Sequence, residues 1–257
     1  MRKYLITLAF SVSLLSTPSF AQDWSGFYVG AHAGYGWGDG NVDLSGSSGA
    51  IHWNDPFLPG DQRQNFGGLD GWLGGLHVGA NYQTGLVIVG LEADVSWSDI
   101  GDDLTTGVSV QGAQWDIKTE LDAFGTVRGR LGFLVSPTFL VYGTAGAAWG
   151  QFDVRQATTF LNPPDDGGRT SGSFNHFGYV VGGGAEWALG QNLFLRAEYL
   201  YLDFGKEDYA LKGTNKPPND PAAVPYIETF SAEHELHTLR VGVSYKFGAR
   251  ESVFPLK

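Results

Sequence analysis

The stretch HTLRVGVSYKF, His237 to Phe247, alternates without a break. Leu239, Val241, Val243, Tyr245 and Phe247 share one parity, and Thr238, Arg240, Gly242, Ser244 and Lys246 share the other. Side chains of a β-strand point to opposite faces with period two, so this is a strand with one apolar and one polar face. Whether the apolar face meets a protein core or lipid decides the fold.

Seven further segments alternate in the same way. They run over 27–38, 72–82, 86–97, 115–133, 139–152, 174–189 and 193–204. Their connections alternate in length. Gln83–Gly85, Leu134–Thr138 and Gly190–Asn192 are short, whereas 39–71, 98–114, 153–173 and 205–236 are long and rich in Gly, Asp, Asn, Ser and Pro. Tight turns on one rim and long loops on the other are the layout of an outer-membrane barrel.

The two faces agree with that layout. One parity carries Phe27, Val29, Ala31, Ala33, Tyr35 and Trp37, then Leu76, Val78, Ala80 and Tyr82, then Val87 through Trp97. Aliphatic residues sit mid-strand and aromatic ones at the ends, an apolar band between two aromatic girdles. The opposite parity carries Gly30, His32, Gly34, His77, Glu92, Asp94, Thr126, Arg128, Arg130, Glu186, Arg196, Glu198 and Arg240. A soluble ligand-binding barrel has the reverse distribution, with its apolar side chains inside. The reading is an all-β chain, an eight-stranded antiparallel transmembrane β-barrel with short periplasmic turns, long extracellular loops and its apolar face in lipid. Closure satisfies every backbone polar group, as hydrocarbon requires.

Composition fits. The 257 residues include 38 Gly, 8 Trp, 11 Tyr and 17 Phe, and no Cys, which excludes disulfides and Cys-ligated metal centres. Arg2 and Lys3, the apolar run Tyr4–Leu15 and the small residues of Ser19-Phe20-Ala21 read as an export signal cleaved between Ala21 and Gln22. Residues 1–21 are then a signal peptide, 22–247 the barrel and 248–257 a short periplasmic tail. Without Arg2 and Lys3 the 16 basic residues become 14 against 27 acidic ones, a formal charge of −13. So acidic a chain is no nucleic-acid binder.

WSGFYVGAHAGYGWG (24–38), VRGRLGF (127–133), GYVVGGGAEWAL (178–189) and LRAEYLYLDFG (195–205) resemble strands of the small outer-membrane β-barrel proteins of Gram-negative bacteria. These are porin-family or opacity-like surface antigens, with immunogenic and haemin-binding members. The resemblance implies a bacterial outer-membrane location and outer-membrane lipid as a partner. Arg240, Gly242, Tyr245 and Phe247 are similar to the terminal signal read by the barrel-assembly machinery, although here GARESVFPLK follows the final aromatic.

The sharpest constellation is the set of lumen charges. Counted from the short turns, Glu92, Arg128, Glu198 and Arg240 lie at similar heights, with Arg130, Glu186 and Arg196 a step lower. In a barrel this narrow, side chains fill the interior, so these residues form a salt-bridged plug or line a narrow ion-selective passage. His32 and His77 share the lumen parity on neighbouring strands and could ligate a metal or haem iron, but no third ligand is evident. No metal site or cofactor is therefore assigned. His234 and His237 are an odd number of residues apart and point to opposite faces. Catalysis needs an activated Ser with a His and a carboxylate, and no G-x-S-x-G occurs. GGGAE (182–186) sits inside an alternating strand, where glycine makes room at the wall. The first long connection carries His52, Trp53, Phe57 and Phe66 among Asp55, Asp61 and Arg63, an aromatic cluster suited to a partner or to a lid. The expected role is non-enzymatic: a surface protein serving envelope integrity and contacts with a host or envelope partner through its loops. A narrow diffusion channel and capture of haemin by the loops stay open as alternatives.

Overall fold

The computed structural model describes residues 22–48, 63–105, 113–161, 164–215 and 224–247. The expected signal peptide with its cleavage residue Ala21, the tail 248–257, and His52, Trp53, Asp55, Phe57 and Asp61 lie outside the described residues.

Eight antiparallel strands form a closed barrel in chain order. They are β1 (Gly26–Ser48), β2 (Arg63–Thr84), β3 (Val87–Thr105), β4 (Ala113–Ser136), β5 (Phe139–Leu161), β6 (Pro164–Ala188), β7 (Leu193–Asn215) and β8 (Val224–Lys246). Pairing of β1 with β8, from Tyr28 opposite Lys246 upward, closes the ring. The turns on the periplasmic rim are tight; Gly85, with φ of +61°, makes the turn between β2 and β3.

The opening stretch settles the orientation. Arg240 is 2% exposed and Val241 next to it is 60% exposed. Leu239, Val243, Tyr245 and Phe247 are exposed with Val241, while Thr238, Ser244 and Lys246 are buried with Arg240. The apolar face is outside. Four strands show how long the lipid-facing band is: Phe27–Trp37, Trp72–Tyr82, Phe139–Trp149 and Phe177–Trp187 each begin and end on an exposed aromatic. Each is 11 residues long. Ten steps of about 3.4 Å, tilted by about 40°, rise about 25 Å, the height of the apolar band of such barrels.

The strands are 19 to 25 residues long, about twice what the membrane needs. This corrects the sequence reading of four long loops. Most of 39–71, 98–114, 153–173 and 205–236 is strand, so the wall continues above the outer girdle. Arg63 and Phe66 belong to β2 rather than to a loop. Glycine, serine and aspartate punctuate these stretches, but ladder pairing carries the strands through them; β1 still pairs with β8 at Ser48 opposite Ile227.

The interior is layered. At the periplasmic end, Trp24, which precedes β1, folds in against Phe194 and packs with Ile88, Leu134 and Leu140. Its backbone N–H donates to Gln83 Oε1 (2.8 Å) and its indole N–H to the Pro137 carbonyl (3.2 Å). Above the belt of charge a second apolar cluster closes the barrel, with Leu69, Ile100, Leu121, Phe124, Phe152, Leu202, Phe204 and Leu236 among its members. The inward parity is therefore charged chiefly in its middle layer, with buried polar side chains such as His176, His234 and Lys246 above and below it.

Candidate functional site

The middle layer gathers every lumen charge singled out from sequence. Register fixes the heights: Glu92 is opposite Arg128, Glu198 opposite Arg240, and Glu186 opposite Arg196. Long side chains then reach across the lumen rather than only to the neighbouring strand. Arg128 spans Glu92 (2.6 Å), Glu198 (2.9 Å) and Asp94 (3.1 Å). Arg196 reaches Glu92 (2.9 Å) and, more loosely, Glu186 (3.4 Å) and Glu198 (3.6 Å). Arg130 binds Glu186 at 2.9 Å. Arg240 pairs with Asp94 (3.0 Å), not with Glu198 across the ladder.

Three members escaped the sequence reading as parts of this network. Asp94 shares the inward parity and supplies the fourth carboxylate, so four guanidinium groups face four carboxylates and the belt is formally neutral. Tyr28 accepts from Arg130 Nη1 (2.9 Å) and donates to Glu92 (2.7 Å). Tyr142 accepts from Arg196 (3.1 Å) and donates to Glu198 (2.9 Å), with the Arg130 guanidinium 4.1 Å from its ring centre. Only the inward parity of two tyrosines signalled their role, and Tyr28 sits one step from the apolar girdle residue Phe27. Each lies over a glycine: a Cβ on Gly79 would come within 2.3 Å of the Tyr28 hydroxyl, and one on Gly184 within 2.7 Å of the Tyr142 hydroxyl. Gly184 of GGGAE thus makes room for a network side chain.

Such a belt is tightly packed. Buried ions are tolerated only when paired, and each of the four guanidinium groups here has a carboxylate partner, although Nε of Arg128, Arg130 and Arg196 and Nη2 of Arg240 lack a hydrogen bond. The arrangement holds strands together across the lumen and leaves no aligned row of one sign along which an ion would pass.

His32 and His77 stand beside the belt. Their Nδ1 atoms are 3.5 Å apart. His32 Nε2 lies 2.9 Å from Ser96 Oγ, and His77 Nε2 2.8 Å from Ser244 Oγ. These are Ser–His contacts, but the second nitrogen of each ring faces the other histidine rather than an orienting carboxylate, unlike a hydrolase triad. His234 points inward, stacked on Phe152 with centroids 4.4 Å apart, and His237 points outward between Trp37 and Tyr199. His234 lies above the outer girdle, outside the spanning segments, and burial lowers its pKa to about 3, with His176 adding to the effect.

Gly242 packs against the Ala31 carbonyl, and Tyr245 and Phe247 stack edge-on at the periplasmic rim. Gln22 precedes the first strand, its side-chain amide donating to the Gln191 carbonyl (3.0 Å).

Comparison with known proteins agrees with this architecture. The family model of the outer membrane protein beta-barrel domain matches residues 7–247. The chain is 32% identical over 247 residues to the 31 kDa outer-membrane immunogenic protein of Brucella melitensis biotype 1, covering 92% of this chain and 90% of that one. It is 30% identical over 227 residues to the 22 kDa outer membrane protein of Rhizobium leguminosarum bv. viciae, covering 88% and 80%. Among solved structures, the outer membrane protein OprG from Pseudomonas aeruginosa superposes with a TM-score of 0.46 at 14% identity, over 88% of this chain and 97% of that one, a likeness too loose to carry an argument.

Proposed function

The chain belongs to the outer membrane protein beta-barrel domain family, and from that premise we propose that it works as a sealed, non-enzymatic surface barrel. It resides in the bacterial outer membrane as an integral protein. The barrel supports the envelope, and the wall and loops above the outer girdle present its working surface to partners. The single observation that carries this reading is the threefold closure of the lumen by a periplasmic apolar cap, a neutral ion-pair belt and an upper apolar cluster. A barrel that conducts needs a wet row of weak sites, and eight strands leave room only for side chains.

The relatives named immunogenic are consistent with a surface that faces outward. The β8 pattern of Arg240, Gly242, Tyr245 and Phe247 supports assembly through the barrel-assembly machinery. Planar-bilayer recording of residues 22–257, refolded in detergent, tests the proposal. Silence from folded protein is the expected result. Reproducible, salt-dependent current steps would replace it with the narrow-channel reading.

A further inference from the structure

The two lumen histidines hold an arrangement that the ion-pair belt does not use. Their ring centroids are 5.7 Å apart and their Nδ1 atoms 3.5 Å. The difference of 2.2 Å is close to twice the distance from an imidazole centre to its own nitrogen. The two Nδ1 atoms therefore lie nearly on the line between the rings and face each other head-on. A separation of 3.5 Å exceeds the roughly 2.7–3.2 Å of an ordinary hydrogen bond. Ser96 and Ser244 sit where each can accept the Nε2 proton, which leaves both Nδ1 lone pairs directed into the gap. The histidines are 8% and 2% exposed.

We propose that His32 and His77 form a two-coordinate site for a soft monovalent cation of the copper(I) or silver(I) class, bound linearly between the Nδ1 atoms. Two imidazole–metal bonds of about 2 Å in line need a gap of about 4 Å, so the rings open by about half an ångström. The donor set excludes the commoner alternatives. Among the described residues no group of three His, Asp or Glu converges to hold a metal, so zinc and nickel lack their further ligands. Haem needs a broad slot between its two histidines, and the packed lumen leaves none. Asp94, directly across the β2–β3 ladder from His77, and Glu92 lie near the site, but the belt's arginines already balance their charge, so the two imidazole donors alone must hold the cation. A small pocket of about 10 Å³ adjoins Ser244, between Tyr28, Asn81, Glu186 and Lys246.

The chain suits a clean test, because residues 22–257 contain neither Cys nor Met to compete for a soft metal. Refold them in detergent with silver nitrate in chloride-free buffer, dialyse, and measure silver per folded barrel by mass spectrometry, confirming folding by gel mobility. The expected result is one silver per barrel in the native chain and less than a tenth in His32→Gln and in His77→Gln. Ser96→Ala and Ser244→Ala, which remove single hydroxyls and spare the fold, retain silver with an affinity about 10- to 100-fold weaker. X-ray absorption should show two nitrogen neighbours at about 2 Å. No retained silver in folded native barrel, retention in either histidine variant equal to that of the native chain, or zinc held as tightly as silver would each overturn the site.

Discussion

Replacing Arg128 by Gln removes the cation shared by Glu92, Glu198 and Asp94 at 2.6, 2.9 and 3.1 Å. Asp94 keeps Arg240 and Glu92 keeps Arg196, but Glu198 is left with only the looser Arg196 contact at 3.6 Å and the Tyr142 hydroxyl. The belt then holds three guanidinium groups against four carboxylates. Breaking a buried pair by removing one partner costs about 3–5 kcal/mol, because a buried charge is left uncompensated. With a urea dependence of about 2 kcal/mol per molar, the unfolding midpoint should fall by about 2 M. The eight tryptophans give the fluorescence signal for urea titration in lipid vesicles. The informative variant is the double change Arg128→Gln with Glu198→Gln, which restores a balance of three against three. The structure predicts that the double variant is no less stable than either single one. Additive losses, summing to about 6–10 kcal/mol, or single losses below about 1 kcal/mol, would refute a coupled belt.

Three further outcomes follow from the layers around it. Trp24→Ala empties the periplasmic cap and should lower stability by about 3–5 kcal/mol in the same titration, without opening a current, since the belt and upper cluster remain. Val241→Arg places a charge mid-band on the lipid face, opposite Ala33, and should cost about 2–4 kcal/mol, while Tyr245→Arg near the rim costs about 0–1; equal costs would contradict the assigned membrane depth. Because His234 titrates near 3 in the fold and at its ordinary value of 6.5 when unfolded, its contribution is complete above pH 6.5 and is lost as pH falls from there toward 3. The protection of the Glu233–Leu236 amides against hydrogen exchange, taken relative to the intrinsic rate at each pH, should therefore fall on acidification, and His234→Phe should flatten that dependence.

The fold was legible because a barrel wall obeys period two, and the parity of Leu239, Val241 and Val243 against Arg240 and Ser244 gives the inside and the outside directly. The charged belt was legible for the same reason, down to heights counted from the turns. The choice of partner was not: Arg240 binds Asp94 rather than Glu198 beside it, because guanidinium side chains cross the lumen and no ladder register records that reach. The strand extensions were hidden by Gly, Ser and Asp in 98–114 and 205–236, which read locally as loop while pairing with a neighbour sustains them as strand. The upper apolar cluster was hidden with them, since Leu69, Ile100 and Leu236 fall in stretches that locally read as connections. Trp24 stands before the first alternating segment, and nothing local says that it turns inward.

The most direct test of the sealed, lipid-facing barrel is a nitroxide scan along 238–246, placed by single cysteines in a chain that has none. In vesicles, Leu239, Val241 and Val243 should relax with dissolved oxygen and not with a water-soluble nickel chelate, while Thr238, Gly242 and Ser244 should respond to neither. Nickel access at the inward positions would mean a water-filled lumen, and loss of oxygen access at the outward ones would mean that the apolar face does not meet lipid.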